Sequence, residues 1–328
     1  MKNIMPEIFR QYALNTGLIS RVLKNTRAGQ TANLVRNHGM HDLSVLRQSL
    51  AGRVFPTVLA LELTTYCPRR CAGCYLSEEE RKDPKVIDPE KAEKIVQTAV
   101  SSGIRILIPY GGEPIQEKTI GILERLLRAH PNLTFYSCTN ADYIACKTSE
   151  LDRIIIRDNY SIALSIDGFR LTNDAIRGNR SFLNVLDAAE YLKSRKQFFG
   201  ASVSVRPENF EEVTSRDFAQ FLINKGFLYI MFSVFHGLRL EKAAETIERI
   251  GELREMPLFI YNGLFGYAGA QNTSQRFREL VVDKNGNVLA QRKARTPISG
   301  LDDGIGTVAS NPEWQRKFSD DWALGKTG

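Results

Sequence analysis

Between residues 58 and 255 the chain alternates short apolar runs with longer amphipathic stretches, and this alternation constrains the fold more than any other feature. Val58-Leu59-Ala60-Leu61-Glu62-Leu63 is the first run. Stretches 104–108, 133–136, 161–166, 200–205 and 228–235 repeat the pattern. Asp88-Pro89-Glu90 gives a capping carboxylate, a first-turn proline and an acid in order, which predicts a helix that Gly103 closes. Residues 115–130 carry Ile120, Leu123, Leu126 and Leu127 at helical spacing, and 181–196, 211–225 and about 239–255 continue the series. Strands alternating with helices predict an α/β fold on a parallel sheet.

The loop after the first run holds three of the five cysteines, Cys67, Cys71 and Cys74, spaced C-x3-C-x2-C. Thiolates this close can converge on one metal centre. Three soft sulfur ligands select zinc or an iron–sulfur cluster over hard, oxygen-seeking ions. Structural zinc takes four protein ligands, commonly in pairs, and no second Cys/His pair follows at finger-like spacing. A [4Fe–4S] cube on three cysteines leaves one iron open to a substrate or cofactor. Three free thiols and a three-cysteine zinc site are the alternatives. Cys138 and Cys146 are too few for another all-cysteine cluster.

This spacing after a first strand resembles the signature of the radical S-adenosylmethionine (SAM) enzymes. The resemblance implies that SAM chelates the open iron, and that one electron from the cluster cleaves it to methionine and a 5′-deoxyadenosyl radical. It also implies a partial (β/α)6 TIM-like barrel, with its site at the C-terminal ends of the strands. Further motifs fall at those ends. Tyr110-Gly111-Gly112-Glu113-Pro114 resembles the family's GGE motif; the glycines would let backbone approach the methionine moiety, and Glu113 would accept from its ammonium. Ser137-Cys138-Thr139-Asn140 stands where many relatives have Thr-Asn-Gly. By the same resemblance Asn140, Ser165 and Asp167 contact SAM, and Arg177, opening an R-G-x-x-S-F run, meets its carboxylate. Asp167-Gly168 as a plain turn and Arg177 as a surface charge are the bland alternatives. Relatives often carry an aromatic just before the third cysteine. Here that place is Gly73, and Tyr75 just after Cys74 is the candidate for packing adenine.

Cys-Ala-Gly-Cys and Cys-Thr-Asn together look like the adenosylhopane synthase group, which adds the deoxyadenosyl radical to an alkene. That resemblance makes Cys138 the candidate hydrogen-atom donor, with a small core cysteine as the alternative. Strand alternation places Cys138 and Tyr136 on one face. Near the C-terminus, Gly266-Tyr267-Ala268-Gly269, the stretch 280–291, Ile305-Gly306-Thr307-Val308 and Trp314 resemble a SPASM-type extension. Gly266 and Gln291 stand in its cysteine places, so its auxiliary clusters would be lost. An unrelated hairpin at Asn285-Gly286 is the other reading.

Hydrophobic content of 43% and charged content of 25% fit a soluble globular chain of 328 residues. No apolar run reaches membrane-span length and no signal peptide is visible. Cysteines kept reduced for a cluster fit the cytoplasm. Of the net charge of +7, residues 1–53 supply +6, with eight basic residues against Glu7 and Asp42. Such a segment reads as a helical extension whose apolar stripe docks on the barrel, as a contact with an anionic membrane surface, or as both. No nucleic-acid motif accompanies the charge. The expected organisation is a basic helical extension over 1–53, a core barrel over 54–237 and a small α+β extension over 238–328. The expected partners are a small-molecule, lipid or peptide substrate and an external one-electron reductase such as flavodoxin or ferredoxin. A non-catalytic iron–sulfur or zinc scaffold is the competing class.

Overall fold

The computed structural model describes residues 16–50, 55–234, 240–262, 279–289, 297–301 and 305–312. Two helices come first, α1 (Thr16–Asn25) and α2 (Ala28–Leu50). The repeating part then runs β1 (Val58–Thr64), α3 (Glu78–Lys82), α4 (Pro89–Ser101), β2 (Ile106–Gly111), α5 (Glu117–Ala129) and β3 (Thr134–Thr139). It continues with α6 (Asp142–Ala145), α7 (Ser149–Ile155), β4 (Tyr160–Ser165), α8 (Arg170–Arg177), α9 (Ser181–Ser194) and β5 (Phe199–Val205). Then come α10 (Phe210–Val213), α11 (Arg216–Lys225), β6 (Tyr229–Val234), α12 (Leu240–Glu252) and β7 (Phe259–Asn262). The described C-terminal elements are β8 (Glu279–Val282), β9 (Asn287–Leu289), β10 (Pro297–Gly300) and α13 (Ile305–Ser310).

The ten strands among the described residues form one sheet, ordered β10-β9-β8-β1-β2-β3-β4-β5-β6-β7. Strands β1 to β7 are parallel to their neighbours, the six expected units plus β7, and β8 joins β1 in parallel on its other side. The six-unit α/β reading of the sequence holds, and β7 and the β8–β10 segment lie in the same sheet. Asp88 caps α4 through Glu90 and Lys91 N–H as the sequence implies. The single helix expected over 211–225 is broken, because the Ser215 hydroxyl caps Phe218 N–H and donates back to Glu212 O. At the C-terminal hairpin, Asp283 accepts from Asn285 N–H and Asn287 N–H, and Gly286 takes a φ of 86°. Gly266 to Gly269, Gln291 and Trp314 lie outside the described residues.

Alternation along the strands separates two faces. Leu59, Leu61, Leu63, Phe135, Ile162, Leu164, Val203, Ile230 and Phe232 pack outward against the helices. The inner face carries Tyr136, Cys138, Ala163, Tyr229, Met231 and Phe259, from strands β3 to β7. These close into one cluster with Leu18, Val22 and Leu34 of α1 and α2, which shows that the sheet curls around the N-terminal helices.

Those helices seal the end where the strands begin. Gln30 is wholly buried; its amide donates to Tyr160 O (2.5 Å) and accepts from Phe198 N–H (2.8 Å). Arg21 donates to Pro257 O, Ile223 O and Phe227 O, and Arg27 to Arg195 O, Ile155 O and Arg157 O. These carbonyls end helices or precede strands, where a cation finds unpaired acceptors. The charge of the extension is thus partly used in docking.

Candidate active site

The cysteine loop leaves β1 at the opposite end and is pinned from several directions. Arg69 forms a two-pronged pair with Asp142, Nε to Oδ2 at 2.7 Å and Nη2 to Oδ1 at 2.5 Å, and also donates to Arg177 O. Arg206, 6% exposed just beyond β5, reaches Ala72 O at 2.7 Å, and Arg81 of α3 reaches Arg69 O at 2.9 Å. Ala72 N–H donates to Ile176 O. These three arginines and Asp142 escape a motif search, because their partners lie on distant elements or in the loop's main chain. Two signals were available: a doubled arginine inside the cysteine loop, and an arginine directly after a strand's C-terminal end.

Gly111 and Gly112 have a local reason to be glycine. A Cβ on Gly111 would run into Thr64 O, and one on Gly112 into Tyr66 O. That closeness lets Gly112 N–H donate to Thr64 O and Glu113 N–H to Tyr66 O, both at 2.7 Å. The glycines therefore lock the end of β2 to the start of the cysteine loop. Pro114 is buried, and its carbonyl accepts from Thr119 Oγ1. The Tyr75 hydroxyl donates to Gly111 O, and its ring packs with Tyr110, Ala60 and Val281.

Glu113 is 3% exposed. Its Oε1 accepts from Ile115 N–H (2.9 Å) and Thr139 Oγ1 (2.7 Å), and its Oε2 from Asn140 N–H (2.7 Å). Burial outweighs these donors and pushes its carboxyl up to about 7. A carboxylate offers about four acceptor positions, so one on Oε2 remains for a cationic donor. Asn140 itself accepts from Asp142 N–H through Oδ1 and points its amide at Cys67 Sγ, 3.8 Å away. Ala141, which follows, holds a φ of 73°, the left-handed region that favours glycine.

Asp167 accepts from Ser204 N–H, and its other oxygen lies 2.8 Å from Arg177 Nε. Their side chains are 1% and 13% exposed. Burial works against the charge on Arg177, but Asp167 and Cys71 together outweigh it and hold the guanidinium above its ordinary value. The two residues expected to meet different parts of SAM thus meet each other. Among the described residues Asp167 is the ion-pair partner of Arg177. Ser165 is buried at the end of β4, in register with Ser202. Cys138 lies on the inner face with Tyr136, as alternation requires, and is half-buried. Tyr136 OH is 2.6 Å from His38 Nε2 of α2.

Burial pushes the Cys67 thiol up to about 12, with Glu113 adding to the effect, and it also raises Cys71, which Arg177 opposes. Cys67, Cys71 and Cys74 lie on one short loop in which Cys74 N–H donates to Cys71 O (3.1 Å), and the charges of Cys71 and Cys74 add to the rise at Cys67. Among the described residues no group of three His, Cys, Asp or Glu side chains could hold a single metal ion. A four-iron cube spans wider than one ion, and its positive charge would offset the cost of the buried thiolates. A donor set of three thiols fits such a cluster. The one open acceptor on Glu113 fits an ammonium beside it.

A model of the radical SAM superfamily matches residues 61–219, a span that contains the cysteine loop, Gly111 to Pro114, Cys138 to Asp142, Ser165, Asp167, Arg177 and Arg206. The chain carries a radical SAM domain. In that superfamily of enzymes the domain is the catalytic module and binds a [4Fe–4S] cluster and SAM. An uncharacterized protein of Archaeoglobus fulgidus is 26% identical over 153 residues, 46% of this chain and 35% of its own length. Pre-heme d1 synthase of Dinoroseobacter shibae is 27% identical over 121 residues, 37% of this chain and 29% of its own. The chain therefore aligns with about a third of each curated relative. Among solved structures, Streptococcus suis SuiB bound to S-adenosylmethionine superposes with a TM-score of 0.66 at 17% identity, covering 84% of this chain and 70% of SuiB. The AdoMet-bound anSMEcpe superposes with a TM-score of 0.62 at 16% identity, covering 80% and 84%. At such identities the likeness is one of fold, the TIM-like radical SAM fold expected from the sequence.

Proposed function

We propose that this chain is a radical SAM enzyme with a single cluster on Cys67, Cys71 and Cys74. Its chemistry is redox-neutral or reductively quenched: addition of the adenosyl group to an alkene, or hydrogen abstraction and return, on a small-molecule or lipid-like substrate. The observation that supports this reading is the placement at one sheet end of the three-cysteine loop, a buried Glu113 with one acceptor to spare, and the Asp167–Arg177 pair. When bound, the cluster and SAM supply the 5′-deoxyadenosyl radical; the chain binds, orients and shields. Glu113 Oε2 takes the ammonium of SAM. The outer nitrogens of Arg177 meet its carboxylate while Asp167 fixes the guanidinium. Asn140 and Ser165 would contact SAM as well, and Gly111, Gly112 and Pro114, which fasten the end of β2 to the cysteine loop, would line its methionine end. Tyr75 offers a ring face to the adenine.

Cys138 gives its S–H hydrogen to the substrate radical. The thiyl left behind takes an electron from an external flavodoxin- or ferredoxin-type reductase and a proton from water. Its half-buried place on the inner face supports this. The reading includes a cytoplasmic place, peripheral contact of the basic extension with a membrane, and no nucleic acid. Among the described residues no helix is long and apolar enough to cross a membrane. Peptide modification is the second reading, because SuiB has been seen bound to the precursor peptide SuiA. The expected domain division at residues 53 and 237 belongs to the same proposal, with the C-terminal part as a SPASM-like extension without auxiliary clusters.

The test is mass spectrometry of products from the reconstituted, reduced enzyme with SAM and extracts of its host. A product bearing the adenosyl mass supports addition, and free 5′-deoxyadenosine with an altered small molecule supports abstraction. No SAM turnover with any extract or reductant removes the reading, and an altered peptide replaces it with the second.

A further inference from the structure

Helix α2 is amphipathic the wrong way round for a helix that docks by its apolar stripe. Counting about 100° per residue from Val35, Gln30, Leu34, Asn37 and His41 fall within an arc of about 60°. All four are buried, at 0%, 5%, 2% and 1%. Three of them are polar, and two of these make docking bonds: Gln30 to β4 and to the start of β5, Asn37 to Thr134 Oγ1. Val35, Met40, Leu43 and Leu50 occupy the opposite arc, 46%, 46%, 50% and 80% exposed. Arg36 and Arg47 lie exposed on that same arc. On α1, which buries Leu18 and Val22 in the ordinary way, Leu23 (64%) and Lys24 are exposed. Among the described residues eight large apolar side chains are exposed, and five of them sit on these two helices. Such a concentration marks an interaction surface.

We infer that the outer face of α2, with Leu23 and Lys24 of α1, docks on an anionic lipid surface. This rests on the peripheral-contact part of the proposed function, not on its radical chemistry. The charge of the face selects the occupant. Asp42 is the sole acid among residues 16–50, and it is not among the exposed ones. Leucine, methionine and valine flanked by arginines match acyl chains beneath anionic headgroups. A second copy packed about a twofold through α2 would bring Arg36 and Arg47 towards their own copies, and like charges across an interface repel. An apolar protein partner would leave the arginines without counter-charge.

The experiment is flotation of the full chain with phosphatidylcholine vesicles, with and without phosphatidylglycerol, at low and high salt. Binding is expected to the anionic vesicles only, weakened by salt as the screening length shrinks. Arg36→Gln with Arg47→Gln is expected to weaken it by roughly tenfold or more, and Met40→Glu with Leu43→Glu to abolish it. Both pairs are exposed, and unchanged melting curves will show that the variants fold. No binding of the natural chain to anionic vesicles overturns the inference, as does binding that neither variant pair alters. A concentration-dependent dimer that Met40→Glu with Leu43→Glu dissolves also overturns it, in favour of a second copy. SAM cleavage without vesicles reports separately on the radical reading. A chain that floats but never cleaves SAM would keep the lipid surface and lose the enzyme.

Discussion

The two ends of the sheet use the same residue types to opposite effect. Where the strands begin, Arg21, Arg27, Gln30 and Asn37 run their donors into main-chain or hydroxyl oxygens, and the polar groups close the fold. Where the strands finish, Arg69, Arg81 and Arg206 likewise fasten the cysteine loop. Glu113, Arg177 and three thiols remain there with binding capacity beyond what the fold consumes. Chemistry belongs at the end with the surplus. Changes to the buried docking residues of the sealed end should therefore alter stability but not SAM chemistry, and changes at the open end should alter both stability and ligand binding.

The largest effect expected short of removing the cysteines is at Asp167. Asp167→Asn leaves Arg177 buried without its counter-charge. Breaking a buried pair typically costs about 3–5 kcal/mol, and the 13% exposure of Arg177 puts this pair towards the lower figure. Urea melts should show that loss, and SAM affinity should fall with it. Unchanged affinity in the folded fraction would mean that Arg177 is a structural residue only.

Next in size is a pH effect. Glu113 is held at about 7 against an ordinary value of 4.5. The folded state thus keeps a proton that the unfolded chain has released, and stability falls as pH rises from about 4.5 to about 7, then levels off. The shift corresponds to something on the order of 3 kcal/mol. Melting temperatures of the cofactor-free protein across that range should decline, and Glu113→Gln should flatten the slope. An equal slope in the variant would assign the effect elsewhere.

A smaller loss is expected at the sealed end. Gln30→Ala strands the Phe198 N–H, at about 1–3 kcal/mol, and should leave SAM cleavage per folded molecule unchanged. A drop in turnover there would break the division between the ends. The smallest change is a gain: Ala141→Gly relieves a left-handed backbone and should stabilise by about 1 kcal/mol, visible as a modest rise in melting temperature.

Patterns local in sequence were legible. The strands and their helices follow from apolar periodicity, the cysteine loop from spacing, and the Gly-Gly-Glu and Ser-x-Asp positions from their places after strands. What escaped was carried by distance or by inverted pattern. Arg206 holds Ala72 across 134 positions, and its place just after β5 marks it only as a residue of the open end, not as the partner of that carbonyl. Phe259–Asn262 is too short to stand out as a strand. The docking face of α2 could not be read, because an apolar stripe is the usual sign of a buried face and here Gln30, Asn37 and His41 are the buried ones. The Gly-Gly pair was legible as a motif, but its local reason, the close approach of Thr64 and Tyr66, needed coordinates.

The central claim is that the open end holds one SAM-binding cluster on Cys67, Cys71 and Cys74. The most direct measurement is iron analysis joined to electron paramagnetic resonance of the reconstituted, reduced protein, before and after SAM is added. About four irons per chain are expected, with one reduced-cluster signal that changes on adding SAM, and both should vanish in the Cys67→Ala, Cys71→Ala, Cys74→Ala triple variant. About eight irons, a cluster surviving in that variant, or a signal indifferent to SAM would contradict it.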